Sequence, residues 1–223
     1  MHRFLVKDAA KHVGEKVKVS GWVNVRRAHG KILFIDLRDI SGVMQLVLLP
    51  SNKEVYELAE QIRPEWVIEV EGQIVKRPEK MVNDKIETGQ VELPVDSLKI
   101  LSEAETPPIP VGEEVAEDPE IDKRMDWRWV DLRKEKNHLI FKVWTLMEDS
   151  FRDFWMSNDY LEIHSPKLIA TASESGAEVF EVKYFKRKAY LAQSPQFYKQ
   201  MAMASGLEKV FEVGPVFRAE PSF

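Results

Sequence analysis

The sequence predicts an all-β unit followed by an α+β unit, on three observations. The first hundred residues repeat apolar side chains with a period of two, as strands with one buried face do. Between Leu101 and Asp131, prolines crowd among acidic residues. From Asn137 the apolar period changes to that of a helix.

Lys16 to Val25 alternates Val17, Val19, Gly21, Val23 and Val25 with Lys18, Ser20, Trp22 and Asn24, which predicts a first strand with the valines inward. Gly30 suits a hairpin turn into a second strand, Ile32 to Arg38, and Ser41-Gly42 a turn into a third, Met44 to Leu49. Ser51 with Glu54 three residues on predicts a capped helix through Ile62, with Val55, Leu58 and Ile62 on one stripe. Trp66 to Val75 and Gln90 to Leu101 complete five strands, an arrangement compatible with an OB-fold barrel over residues 1–104. Residues 105–131 carry Pro107, Pro108, Pro110 and Pro119 among Glu103 to Asp122. Prolines and like charges of this kind do not build a core, so a hinge is expected there. Residues 132–223 begin with a helix from Asn137 to near Asn158 presenting Ile140, Val143, Trp144, Met147, Phe151 and Phe154. A short strand at Tyr160 to His164, strands at Ala189 to Ala192 and Val210 to Arg218, and a helix from Pro195 to Ala204 closed by Gly206 follow.

Composition narrows the function. With 44% hydrophobic residues in 223, the chain can build cores, and no apolar run reaches the roughly 18 residues of a membrane span. Zero cysteines exclude a disulfide scaffold, a cysteine nucleophile and thiolate metal sites, and fit a reducing cytoplasm. The charged amino terminus argues against a signal peptide. A net charge of −5 excludes a broadly basic binder, so a nucleic acid would have to meet a local basic face. Five scattered histidines give no metal spacing, and no phosphate-binding glycine loop or dinucleotide fingerprint occurs.

Several clusters could carry chemistry, each with a plainer reading. In Gln193-Ser194-Pro195-Gln196-Phe197-Tyr198-Lys199-Gln200, Gln196 and Lys199 share a helix face and could hold a small carboxylate, or could be a solvated surface. At the end of the last strand, Arg218 and Glu220 alternate onto one face. Arg218 could clamp a phosphate or carboxylate and Glu220 could accept from an amine, or the two could be a surface ion pair. Glu174, in the small-residue loop from Thr171 to Glu178, could pair with an ammonium, or the loop could be ordinary surface. In the barrel, Phe34 and Gln45 with Arg26, Arg27, His29 and Lys31 could stack a base, read its edge and hold a backbone; Phe34 could equally be core. Asp36 and Asp39 read as turn and rim residues.

The order of these segments closely resembles aspartyl-tRNA synthetases of the class II b group. It runs barrel, acidic hinge, helix ending in Glu162-Ile163-His164-Ser165-Pro166, then Gln193 to Gln200, then Gly214-Pro215-Val216-Phe217-Arg218-Ala219-Glu220. The resemblance covers essentially the whole chain. It implies an OB-fold anticodon-binding barrel and the first part of a class II antiparallel-sheet catalytic domain. The helix and Pro166 would be motif 1, the family's homodimer element, and Phe217 onward would open motif 2, within which the chain is expected to end. It implies ATP-dependent activation of L-aspartate and transfer to tRNA(Asp), with the truncated chain inactive alone. By the same resemblance Arg218 bridges the substrate carboxylate and the α-phosphate as the catalytic group, and Glu220 receives the adenine amine. Glu174 pairs with the substrate ammonium, Ser194 and Gln196 orient it, and Lys199 meets the side-chain carboxylate. Arg26, Phe34 and Gln45 match anticodon-binding positions. His29 resembles the branch that charges both tRNA(Asp) and tRNA(Asn). ATP is implied as a substrate, Mg2+ with ligands beyond residue 223, and no metal within the chain. Asparaginyl enzymes share barrel and hinge but typically lack the equivalent of Lys199, lysyl enzymes would offer acids to the substrate tail, and a non-catalytic tRNA-binding OB module is the alternative outside the enzymes.

Overall fold

A computed structural model of the chain describes residues 4–112, 118–171 and 179–219. Residues through His138 form one compact unit and those from Leu139 a second.

The first unit is a closed barrel. Strands β1 (Lys16–His29), β2 (Ile32–Asp39) and β3 (Gly42–Leu48) run as an antiparallel meander. Helix α1 (Lys53–Gln61) leads to β4 (Val67–Gln73), which returns beside β1. After the two-residue β5 (Val75–Lys76), β6 (Val91–Ser102) pairs antiparallel with β4 and parallel with β3, through Leu46 opposite Leu93 and Val47 opposite Pro94. That parallel pairing closes the sheet and leaves the five long strands without a fully open edge. Strict alternation fills the lumen: Leu33, Ile35, Leu37, Met44, Leu46, Leu48, Ile68, Val70 and Leu93 are all buried, with Val55, Ala59 and Ile62 packed with them. The five strands and the helix expected from the sequence are all present.

Three local expectations are corrected. The cap of α1 is Asn52, whose Oδ1 accepts from the Val55 amide at 3.4 Å, and not Ser51, because the helix starts at Lys53. The first strand does not hold its alternation to Val25. A bulge between Val23 and Val25 leaves Val23 opposite buried Leu37 but puts Val25 opposite Asp36 on the outer face. The acidic hinge does build a core: Ile109, Val111 and Val130 bury one another, and α2 (Ile121–Asp126) and α3 (Arg128–Asp131) fold around Asp131. Asp131, 0% exposed, accepts from Arg124 at 3.1 and 3.3 Å and from Arg128 at 2.9 Å, with Lys134 at 3.4 Å, and the Asn137 amide donates to its carbonyl at 2.7 Å. Burial raises the carboxyl pKa of Asp131, and the surrounding cations outweigh it, so the net shift is downward. The cations of the segment, not its acids alone, decide its structure.

In the second unit, the 22-residue α4 (Glu135–Met156), whose first residues belong to the first unit, leads to β7 (Leu161–Glu162) and β8 (Leu168–Ile169). A hairpin of β9 (Glu181–Tyr184) and β10 (Arg187–Leu191) follows, then α5 (Gln196–Ala202), a wide turn through Leu207 with Gly206 at φ 99°, and β11 (Val210–Phe211). β10 pairs antiparallel with β8 and β9, and β11 parallel with β7. The long strand expected from Val210 to Arg218 is regular only at Val210–Phe211. Beyond it the chain is held by single bonds, because Gly214-Pro215 interrupts the ladder.

Gly72 sits where β4 bends against β6, and a Cβ there would run into the Pro94 carbonyl. Gly72→Ala is therefore expected to lower the stability of the barrel by about 1–3 kcal/mol, read from the urea midpoint. A second expectation concerns acid. Hydrogen bonds from Lys136 and Lys134 pull the Asp118 carboxyl down to about 2 from its ordinary 3.8. Its contribution is thus complete above pH 3.8 and is lost as pH falls through about 2. The stability difference between the native chain and Asp118→Asn, followed by tryptophan fluorescence, should close across that window. A difference unchanged across it would remove the assignment.

Candidate functional site

The bulge at Asn24 decides which side chains share the outer face of the barrel. Past it, Arg27 pairs with Phe34 and Val25 with Asp36, while Arg26 pairs with inward Ile35. Phe34 is half-buried on the outer face, outside the lumen core formed by its neighbours Leu33 and Ile35. Arg27, not Arg26, is the cation on that face, and its Nη2 donates to Asp36 at 2.8 and 2.7 Å. Arg26 is exposed and pairs with inward Ile35, which puts it on the other side of the hairpin from Phe34. His29 is exposed at the hairpin end, next to Gly30 at φ 60°.

Across β2 and β3, Asp36 lies opposite Gln45, and the Gln45 amide donates to Glu92 on β6 at 3.1 Å. Behind Glu92 sits Arg77, 8% exposed. Its Nε donates to the Val91 carbonyl at 3.1 Å and lies 3.6 Å from Glu92, while its Nη2 is buried without a hydrogen-bond partner. Burial lowers the Arg77 pKa, with Glu92 acting the other way. The outer face thus carries the Phe34 ring, the Gln45 amide, the Asp36 and Glu92 carboxylates and the Arg27 guanidinium, with the Arg77 guanidinium buried: a surface able to stack a base and offer donors and acceptors to its edge. Glu92 and Arg77 escaped the sequence reading because they meet Gln45 only through the parallel β3–β6 closure. Glu92 lies within β6 and Arg77 directly after β5, and nothing local in the sequence ties the two to Gln45.

In the second unit, two of the expected segments lie side by side. The Ala192 amide donates to the Lys167 carbonyl at 3.0 Å, and the Phe217 amide donates to the Ala192 carbonyl at 2.9 Å. Gln193-Ser194 and Arg218 are therefore the next residues on two directly bonded stretches. Gln193 is fully buried, and the Ser194 hydroxyl accepts from the Gln196 amide at 3.2 Å. Gln196 is exposed; Lys199, one turn on, is half-buried and makes no ion pair among the described residues. Arg218 is exposed. Glu174 and Glu220 lie outside the described residues.

The turn that bears Pro166 is clamped by Glu212, a residue the sequence reading missed. The Ser165 amide and hydroxyl donate to its carboxylate at 3.1 and 2.8 Å, and the Lys167 ammonium donates to it as well. Burial raises the Glu212 pKa, and these donors more than reverse it. A carboxylate within an apolar strand is the signal that could have found it, because such a group is paired when buried. The apolar face of α4, by contrast, is left exposed among the described residues: Ile140, Val143, Trp144, Met147, Phe151 and Phe154 are each between 45% and 63% exposed. No helix among the described residues is long and apolar enough to cross a membrane.

Comparison with known proteins accounts for both units. Residues 17–101 match the OB-fold nucleic acid binding domain, and residues 120–222 the class II tRNA synthetases of the D, K and N type. The chain is 43% identical over 210 residues to the aspartate–tRNA(Asp/Asn) ligase of Archaeoglobus fulgidus, covering 93% of this chain and 47% of that protein. It is 45% identical over 212 residues to the aspartate–tRNA(Asp) ligase of Pyrococcus horikoshii, covering 93% and 46%. Among solved structures, the asparaginyl-tRNA synthetase of Pyrococcus horikoshii with asparaginyl-adenylate superposes with a TM-score of 0.87 at 30% identity, over 100% of this chain and 49% of that one. A putative aspartyl-tRNA synthetase of Leishmania major also gives 0.87, at 33% identity over 100% and 45%. The chain spans about half the length of the curated relatives it matches. With its barrel, its bonded Gln193 and Arg218 segments and these matches along nearly its whole length, the chain is a homologue of the aspartate–tRNA ligases, and residues 120–222 match the class II tRNA synthetases.

Proposed function

We propose that this chain supplies the anticodon-binding barrel and the amino-acid-binding part of an aspartate–tRNA ligase. The observation that carries the reading is the bonded pair of stretches at Ala192 and Phe217, which sets the Ser194-to-Lys199 segment beside Arg218. The functional division is 1–104 for the barrel, 105–131 for the hinge and 132–223 for the catalytic part, with the hinge residues carried on the first compact unit.

In this reading the α-carboxylate of L-aspartate attacks the α-phosphate of ATP, forming the mixed anhydride and expelling pyrophosphate; the aspartyl group then passes to the terminal adenosine of tRNA. Arg218 spans the carboxylate and the α-phosphate, where negative charge gathers in the transition state. Lys199 holds the side-chain carboxylate, with Ser194 and Gln196 fixing the rest of the amino acid. Glu174 meets the ammonium and Glu220 the adenine amine. Mg2+, general to this class, would neutralise the leaving pyrophosphate. On the barrel, Phe34 stacks an anticodon base and Gln45, oriented by Glu92, reads an edge, with Arg27 the cation on their face and Arg26 a further anticodon contact across the hairpin. A second copy of the chain covers the apolar face of α4. The medium is taken to be the cytoplasm.

Lys199 favours aspartate over asparagine, because a charged hydrogen bond to the acid has no counterpart with the amide. In an enzyme of full relative length, Lys199→Ala should raise the aspartate KM in ATP–pyrophosphate exchange by about 10- to 100-fold; an unchanged KM removes the substrate assignment. Phe34→Ala should weaken binding of tRNA(Asp) to the present chain by about 5- to 100-fold while leaving its salt dependence unchanged. For His29, charging of purified tRNA(Asp) and tRNA(Asn) is compared: activity on both supports the broader specificity, and activity on tRNA(Asp) alone rejects it.

A further inference from the structure

Glu65 is the least expected residue of the first unit. It is 4% exposed, stands at φ 68° although it is not glycine, and precedes β4. A bulky residue in the left-handed region is strained and is kept where surrounding contacts hold it. The contacts are specific. Its amide donates to the Val23 carbonyl at 2.7 Å, and the Val23 amide donates to the Trp66 carbonyl at 2.9 Å, so the β1 strand is gripped one residue before the bulge. Its carboxylate accepts from Arg38 Nη2 at 2.8 and 3.1 Å, and from Arg133 Nη1 at 2.6 Å. Arg38 in turn donates through Nη1 to the side chain of Asn24, the bulged residue, at 2.8 Å.

These bonds form one continuous chain, Asn24–Arg38–Glu65–Arg133. One end is the bulge that turns Arg27 onto the face of Phe34; the other is the helical segment that carries the Asp131 cluster. We infer that Glu65 is a positioning residue that locks the base-reading face of the barrel to the 120–138 segment, so that RNA held on that face is held in a fixed place relative to this segment. The inference rests on the tRNA-ligase reading above. Its consequence is selective: steps that need RNA on the barrel depend on the clamp, and steps confined to aspartate and ATP do not. Arg133 is the accessible handle, since its side chain is 38% exposed whereas that of Glu65 is 4% exposed.

The test uses an enzyme of full relative length with three variants, Glu65→Gln, Arg133→Met and the double variant. Native aspartate-dependent ATP–pyrophosphate exchange is measured first; its absence would overturn the ligase reading itself and the clamp's role with it. With exchange present, Arg133→Met should leave the exchange kcat and aspartate KM unchanged and lower kcat/KM for tRNA by about tenfold or more, the scale of one charged hydrogen bond. Because both substitutions break the same link, the double variant should lose little more than the worse single variant. Equal loss in exchange and in tRNA charging, or no loss in charging by Arg133→Met, overturns the inference while leaving the ligase reading intact. If Glu65→Gln fails to fold, Arg133→Met decides alone.

Discussion

The parallel pairing of β3 with β6 is the constraint on which the first unit depends. Antiparallel hairpins alone would give an open meander with Leu46 and Leu93 on separate edges. Joining them closes the lumen, removes the long open edges and brings Gln45 against Glu92 and Arg77. One pairing of a few residues thereby makes both the hydrophobic core and the polar outer face. The same economy governs the second unit, where the Ala192 backbone is bonded on both sides, to Lys167 and to Phe217, and so joins stretches that are far apart in sequence.

Charge does its structural work here in groups, not in isolated pairs. Asp131 is tolerable in a dry site because three cations surround it, and Glu212 because a hydroxyl, an amide and an ammonium converge on it. Each is a buried carboxylate whose desolvation is outweighed by several donors, and removing one donor leaves a cost out of proportion to a surface ion pair. The exposed pairs, such as Lys53 with Glu57, lie in water and contribute little by comparison.

Legibility followed the range of the interactions. The barrel strands were readable because a period of two is local, and the helix beginning near Asn137 because 3.6 is local too. The bulge at Asn24 was not, since it is enforced by Arg38 from another strand and by the 65–66 segment. One inserted residue then decides that Arg27, of the two neighbouring arginines, shares the face of Phe34. The hinge was misread as lacking a core because its acids were weighed without the Arg124, Arg128 and Lys134 that neutralise Asp131. In the second unit the clusters around Lys199 and Arg218 stood out by residue type and by the resemblance of their order, while Glu212 offered only its position as a carboxylate among apolar neighbours, a signal that says it is paired but not with what.

The left-handed backbone at Glu65 carries a lesson for anyone who edits this molecule. Judged by torsion angles alone, that site asks for glycine, and a procedure that rewards relaxed geometry would put it there. The more comfortable main chain would leave two guanidiniums facing each other with no anion between them, so a change scored as an improvement would trade local ease for the loss of the joint it was meant to strengthen.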